Sequence, residues 1–139
     1  MRGISCWFYL VAALSVTFGM IWGIAMAISQ DHTLSPAHAH LNLVGWVTMG
    51  LFAVFYHCCP DIAQSRLAKV HFGVATLGLW TMVPGIALAT LGRGEGLAIA
   101  GSLTTLLSMA LFAAMVIRAG TTRRPAAAAA AIGGPIRPR

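Results

Sequence analysis

The sequence predicts an all-α membrane protein built as a bundle of four transmembrane helices. Of the 139 residues, 58% are hydrophobic and only 9% are charged. A soluble domain carries roughly 25% charged residues, so this composition indicates a chain that lies in a lipid bilayer. Four apolar runs are each long enough to cross a bilayer at about 1.5 Å per residue. We expect one domain, residues 1–118, with helices at about 4–28, 38–57, 70–91 and 97–117.

The first two helices are bounded by clear signals. The first apolar run continues from Ile4 to Ile28. A secretory signal peptide is the alternative, but its apolar core usually has roughly 7–15 residues, so we interpret this run as a retained helix. Pro36 favours a helix start, with Ser35 as the candidate N-cap, and Pro60 ends the second run.

The second half of the chain contains two further spans and a tail. A polar hairpin, residues 61–69, leads to the third run, in which Pro84 and Gly85 predict a kink. Residues 92–96 form a tight turn, and the fourth run contains small and hydroxylated residues that allow close helix–helix approach. From residue 119 the composition has nothing to bury, so residues 119–139 are predicted to be a disordered, basic, cytoplasmic tail.

The positions of the basic residues predict the orientation. If the N-terminus is inside, the inner segments hold Arg2, Arg66, Lys69 and the five arginines after residue 117, and the outer loops hold Arg93. Cytoplasmic segments carry the excess of Lys and Arg, so both termini are expected in the cytoplasm, in the inner or plasma membrane of a prokaryote. The net charge of +6 then lies against anionic lipid, and without interleaved aromatic residues it does not indicate nucleic-acid binding.

The candidate functional residues are two histidines at the start of the second run, His38 and His40. At about 100° per residue they lie about 200° apart, on opposite faces of a helix. They cannot bind one small ion from the same side, but each imidazole can bind a large, flat ligand on its own flank. Ionisable side chains in a membrane segment are candidates for function, although water-bonded interfacial histidines are the alternative. Asn42 and Trp46 follow within about two turns and complete the candidate site.

A second group of soft and borderline ligands lies near the inner face: His57, Cys58, Cys59 and His71. Such residues can hold zinc or copper, but their spacing is not a recurring one and interfacial packing is the simpler interpretation. The three cysteines of the chain do not make a disulfide framework. Met26 and Met82 are expected at the level of His40, where a thioether could be an axial ligand.

Two motifs between residues 37 and 88 carry a family resemblance. The first is Ala37-His38-Ala39-His40, followed by Gly45, Phe52, Phe55-Tyr56 and Pro60, and the second is Lys69-Val70-His71-Phe72, followed by Gly78 and Pro84. They resemble the tenth and eleventh helices of subunit I of the heme–copper oxidases. That subunit resembles three arcs of four helices, and this chain resembles one such arc.

The resemblance implies a role for the histidine pair. In the family the first histidine of the motif ligates the high-spin heme and the second ligates the low-spin heme, so His38 and His40 are implied heme ligands and His71 is not. The residue between the pair is Ala39, where the family has an aromatic residue, and the family's copper-binding histidines have no counterpart here. Oxygen reduction is therefore not expected.

The resulting prediction is a heme b-binding integral membrane protein for electron transfer or for sensing or handling a diatomic gas. Because His38 and His40 diverge, a single chain cannot give both axial ligands to one heme. A homotrimer or another homo-oligomer can, with His38 of one chain and His40 of its neighbour, and a respiratory-chain redox partner is expected. The alternatives are a cofactor-free assembly or accessory subunit of a respiratory complex and a copper-handling membrane protein.

Overall fold

The computed structural model describes residues 3–132, with side chains as far as residue 121, and this part of the chain is helical with short connections and no strand. Four helices are long and apolar enough to span a membrane, as the sequence predicts. They are α1 (Ile4–Ser29), α2 (Ser35–Cys58), α3 (Arg66–Thr90) and α4 (Gly96–Ile132), and a single helical turn, Pro60–Ala63, connects α2 to α3.

The helix boundaries differ from the predicted ones mainly at the starts of α2 and α3 and at the end of α4. Ser35 lies inside the first turn of α2, so the prediction that it caps the helix is wrong; the N-cap is Leu34, without a side-chain hydrogen bond. A side-chain cap does start α3, where Ser65 accepts a hydrogen bond from the backbone of Ala68 at 3.2 Å. The backbone of α4 stays helical to Ile132, past the predicted end at 117, and residues 133–139 of the predicted tail lie outside the described residues.

Glycines bring α1 and α2 into close contact. Gly19 of α1 lies directly under the Asn42 side chain, and a Cβ on Gly45 of α2 would be 2.7 Å from Ser15 Oγ. Small residues at such positions let two helix backbones approach closely, which gives van der Waals contact that lipid cannot replace. The same seam therefore fixes the rotation of α2, and with it the directions of the two histidines at its start.

A second seam of glycines joins α3 and α4. A Cβ on Gly78 would be 2.7 Å from Thr105 Oγ1, and Cβ atoms on Gly85 and Gly101 would overlap the facing helix. The atoms that a Cβ on Gly85 would meet belong to the backbone at Ala98, and a helix backbone cannot move aside as a flexible side chain can. These two helices form the tightest pair in the bundle, and Pro84 is accommodated within a continuous α3.

Aromatic rings connect the two helix pairs. Phe8 of α1 stacks on Tyr56 of α2 with ring centroids 5.4 Å apart, and it meets Phe72 of α3 edge-on at 5.0 Å. Phe112 of α4 contacts Phe52 of α2 at 4.5 Å. Because every helix contributes a ring, this cluster is the common core of the half of the bundle that holds the start of α1 and the end of α2.

The middle of α2, Leu41–Thr48, is a π-helix and not an α-helix. Five buried positions of α2 recur at every fourth residue, at 37, 41, 45, 49 and 53, and two more, Phe52 and Tyr56, follow the π segment. In an α-helix a four-residue repeat drifts by about 40° per step, because four residues turn about 400°. The wider turns of a π segment, with i→i+5 hydrogen bonds, take up this drift and keep the five positions buried. The Thr48 hydroxyl follows the same register and donates to the carbonyl of Leu43 at 3.0 Å.

The loop between α1 and α2 is ordered by its own side chains. The backbone N–H of Thr33 donates to the Asp31 carboxylate at 2.9 Å, and hydrogen bonds from Thr33 hold the pKa of Asp31 below its usual range. The Gln30 residue that ends α1 has a left-handed backbone, with φ 55°. This compact turn brings the start of α2, and hence His38, back against the end of α1.

Candidate functional site

The two predicted ligands, His38 and His40, have different surroundings. His38 is half-buried against α1, where its ring meets Trp22 edge-on with centroids 6.0 Å apart and its Cε1 lies over Gly23. His40 is exposed at the surface of the bundle. One imidazole thus faces the neighbouring helix and the other faces outward, as the i, i+2 spacing predicts.

His40 is oriented by its own helix. Its Nδ1 lies 2.7 Å from the carbonyl oxygen of Pro36, one turn earlier, so Nδ1 carries the hydrogen and donates it. A carbonyl oxygen has two lone pairs, so the oxygen of Pro36 can accept from a side chain at i+4 as well as from a backbone N–H. The remaining nitrogen, Nε2, then has its lone pair directed away from the backbone. Metal-ligating histidines are commonly held in this way, with the second nitrogen donating to a carbonyl.

His38 has the opposite arrangement, because its Nε2 is already engaged. The Asn42 amide nitrogen, Nδ2, lies 2.9 Å from the carbonyl oxygen of His38 and 3.3 Å from its Nε2. The carbonyl can only accept, so this Asn42 atom is the donor and Nε2 of His38 accepts from it. The hydrogen of the neutral ring is then on Nδ1, which is buried and has no partner. A buried donor without a partner costs about 1–3 kcal/mol.

The other two predicted site residues lie at different places in the π segment. Asn42 is within reach of His38, as described above, and its side chain rests on Gly19. Trp46 packs edge-on against Tyr9 of α1, with ring centroids 6.5 Å apart. Met26 lines a cavity of about 250 Å³ together with Trp22 and Asp31. Met82 is buried against Gly101 of α4.

The second predicted group, around His71, does not come together as a metal site. His71 is completely buried, whereas His57 and Cys58 are exposed. Among the described residues no three His, Cys, Asp or Glu side chains are grouped so that they could hold a metal ion. None of the three cysteines, all in the described part of the chain, forms a disulfide.

A buried network around His71 was not predicted from the sequence. The Tyr56 hydroxyl lies 2.8 Å from Nδ1 of His71, and the Ser108 hydroxyl lies 3.2 Å from its Nε2. These partners are 15 and 37 residues away along the chain, so no local pattern could indicate them. Both ring nitrogens are satisfied here, which makes His71 a structural residue that connects α2, α3 and α4.

The fold and the histidine pair define an all-α integral membrane protein with two divergent imidazoles at one end of its second span. Comparison with known proteins gives one specific similarity: over 62 residues the chain is 44% identical to the heme–copper oxidase subunit I+III of Aeropyrum pernix. That stretch covers 41% of this chain and 8% of the length of the relative. The resemblance to subunit I predicted from the sequence is therefore confirmed. No family model and no solved structure matches the chain.

Proposed function

We propose that this protein binds heme b through His38 and His40 and serves electron transfer or the sensing or handling of a diatomic gas. The similarity to a heme–copper oxidase subunit supports heme as the cofactor in general terms. It does not extend to the activity of the whole relative, of which this chain covers 8% of the length. Oxygen reduction is not part of the proposal, since the copper-binding histidines of the family have no counterpart here.

The observation that carries the proposal is the geometry of His40. Its imidazole is exposed, its Nδ1 donates to the carbonyl of Pro36 at 2.7 Å, and its Nε2 is left as a lone-pair donor at the bundle surface. An imidazole held in one tautomer by a backbone carbonyl is a preformed axial ligand.

The two ligands differ in how well they fit the cofactor. His40 fits as it stands, whereas His38 fits only after its Nε2 is released from the Asn42 amide. When bound, heme supplies the one-electron and gas-binding chemistry. The chain's own residues would ligate it, and the Pro36 carbonyl would fix the tautomer of His40.

The divergence of the pair supports an oligomer. His38 faces α1 of its own chain and His40 faces outward, so the two cannot ligate the two sides of one heme within a chain. We propose a homotrimer or another homo-oligomer in the lipid bilayer, with a heme between His40 of one chain and His38 of the next. The basic residues favour cytoplasmic termini. We place the protein in a prokaryotic inner or plasma membrane, with a respiratory-chain protein as its redox partner.

The test is the visible spectrum of the protein purified from membranes in mild detergent. We expect the sharp bands of a b-type heme, which His40→Ala removes and which His32→Ala keeps, because His32 is an exposed loop residue bonded to Gln30. A protein without heme bands after heme supplementation would contradict the proposal and favour a cofactor-free accessory subunit. Copper found by elemental analysis, in place of heme, would instead favour copper handling.

A further inference from the structure

We propose that Asn42 holds His38 in a closed, non-ligating state, so that the chain binds heme in a fixed order, first through His40 and then through His38. This inference rests on the proposed heme function and assigns Asn42 as a positioning residue. It follows from three contacts of the Asn42 side chain, with the His38 ring, with the His38 carbonyl and with Gly19 of α1.

The first step of the argument is that one atom makes both hydrogen bonds to His38. Asn42 Nδ2 donates to the backbone oxygen of His38 at 2.9 Å and to Nε2 of its ring at 3.3 Å. Nε2 is the nitrogen that a histidine uses when its Nδ1 is protonated, as it is here. As long as the amide is in place, the lone pair needed for ligation is occupied.

The second step is that α1 keeps the amide in place. The Asn42 side chain lies directly on Gly19, and a Cβ at that position would overlap its Oδ1. The absence of a side chain at Gly19 is therefore what gives the amide room beside His38. One turn further along α1, Gly23 provides the same room for the His38 ring.

The third step is that the closed state has a cost. It leaves Nδ1 of His38 buried without an acceptor, so the hydrogen bond gained at Nε2 is offset by a donor left unsatisfied at the other nitrogen. In His40 the hydrogen bond to the Pro36 carbonyl is made by Nδ1, which leaves the lone pair of Nε2 for ligation. Ligation by His40 thus needs no rearrangement, whereas ligation by His38 requires the Asn42 amide to leave.

A test on the heme-free protein examines the hydrogen bond between Asn42 and His38 separately from heme binding. In protein labelled with ¹⁵N-histidine, the His38 signals, identified by their loss in His38→Gln, should report a ring protonated on Nδ1. Asn42→Ala should populate the form protonated on Nε2. A His38 ring that has the same tautomer in the wild type and in Asn42→Ala would overturn the inference, whether or not the protein binds heme.

A second test follows heme b added to heme-free protein in detergent. The wild type should pass through a five-coordinate, high-spin spectrum before the six-coordinate, low-spin spectrum appears. Asn42→Ala should speed the second phase by about tenfold, the factor expected for one net hydrogen bond. Thr48→Val is the control, since it removes a side-chain hydrogen bond from the same π segment without touching His38.

A third variant guards against misfolding of Asn42→Ala. Gly19→Ala leaves Asn42 in the chain but displaces its amide, so it should speed the second phase in the same way, whereas Gly50→Ala, whose Cβ meets nothing within 4 Å, should not. If heme binding depends on His40 but both phases have wild-type rates in Asn42→Ala and Gly19→Ala, the ordering is wrong and the proposed function stands. If no heme binds through His40, the proposed function fails, and the histidine tautomer still decides whether Asn42 holds His38.

Discussion

The hydroxyl of Tyr56 and Nδ1 of His71 share a hydrogen bond of 2.8 Å, and both side chains are almost completely buried. Nε2 of the same ring shares a second hydrogen bond with the Ser108 hydroxyl at 3.2 Å. A polar group in an apolar interior is tolerated when it is fully paired. The three residues belong to α2, α3 and α4, so this chain of hydrogen bonds fixes the relative positions of three spans at one level.

Removal of the phenol hydroxyl should therefore destabilise the bundle. Tyr56→Phe leaves Nδ1 of His71 buried without its hydrogen-bond partner, which we expect to lower the free energy of unfolding by about 1–3 kcal/mol. Denaturant titration in mixed micelles, followed by circular dichroism, measures the change. The chain has one other tyrosine, Tyr9, which is 44% exposed. Tyr9→Phe keeps the ring contact with Trp46, so an equal loss in both variants would contradict the assigned role of Tyr56.

The contact between α3 and α4 predicts opposite effects for two glycines of the same helix. In Gly85→Ala the new Cβ overlaps the backbone at Ala98, so the helices must separate, at a cost of about 1–3 kcal/mol. In Gly73→Ala the Cβ meets nothing within 4 Å, so alanine should stabilise α3 by about 0.5–1 kcal/mol. The same titration compares them. Equal effects of the two substitutions would show that the seam is not as close as described.

Ligation between chains predicts complementation between two variants. His38→Ala and His40→Ala should each lose the six-coordinate, low-spin heme spectrum when expressed alone. When both are expressed together, an interface that pairs intact His38 of one chain with intact His40 of the other should recover that spectrum. Pull-down with two different tags establishes that mixed oligomers form. Mixed oligomers without the recovered spectrum would rule out ligation between chains and make a ligand within the chain, such as Met26, the better candidate.

The proposed orientation is tested by reporter fusions at two positions. Alkaline phosphatase fused at residue 94, between α3 and α4, should be active because it reaches the outer side, whereas a fusion after Arg118 should be inactive. The reason is the concentration of Lys and Arg at the ends of the helices assigned to the cytoplasm. The reverse pattern would place His38 and His40 at the cytoplasmic face.

The four transmembrane helices could be predicted from the sequence, because a long apolar run in a chain with so few charged residues is typical of a membrane-spanning helix. It was not sufficient for the π segment, although the signal was present: Ala37, Leu41, Gly45, Met49 and Ala53 are spaced by four throughout. The corresponding buried positions of α1, at 5, 8, 12, 15 and 19, alternate between three and four as an α-helix requires.

The sequence was enough to propose the residues of the candidate site, but not the hydrogen-bonding state of each imidazole. The spacing of His38 and His40 predicts that they diverge, and the structure has them in different surroundings. Whether a lone pair is accessible depends on contacts the spacing does not encode, such as the Asn42 amide on Nε2 of His38. The structural role of His71 could not be predicted from the sequence either, because its partners Tyr56 and Ser108 are brought to it only by tertiary packing.

The two glycine seams have a consequence for how the protein is made. Each seam closes a helical hairpin, α1 with α2 and α3 with α4, and the aromatic cluster around His71 joins the hairpins. Helices that insert independently can associate afterwards in the bilayer, so biogenesis can proceed hairpin by hairpin. A gene split at the exposed residue Gln64 should accordingly yield two fragments that copurify after coexpression. With two such genes, variants of one helical hairpin could be combined with an unchanged copy of the other.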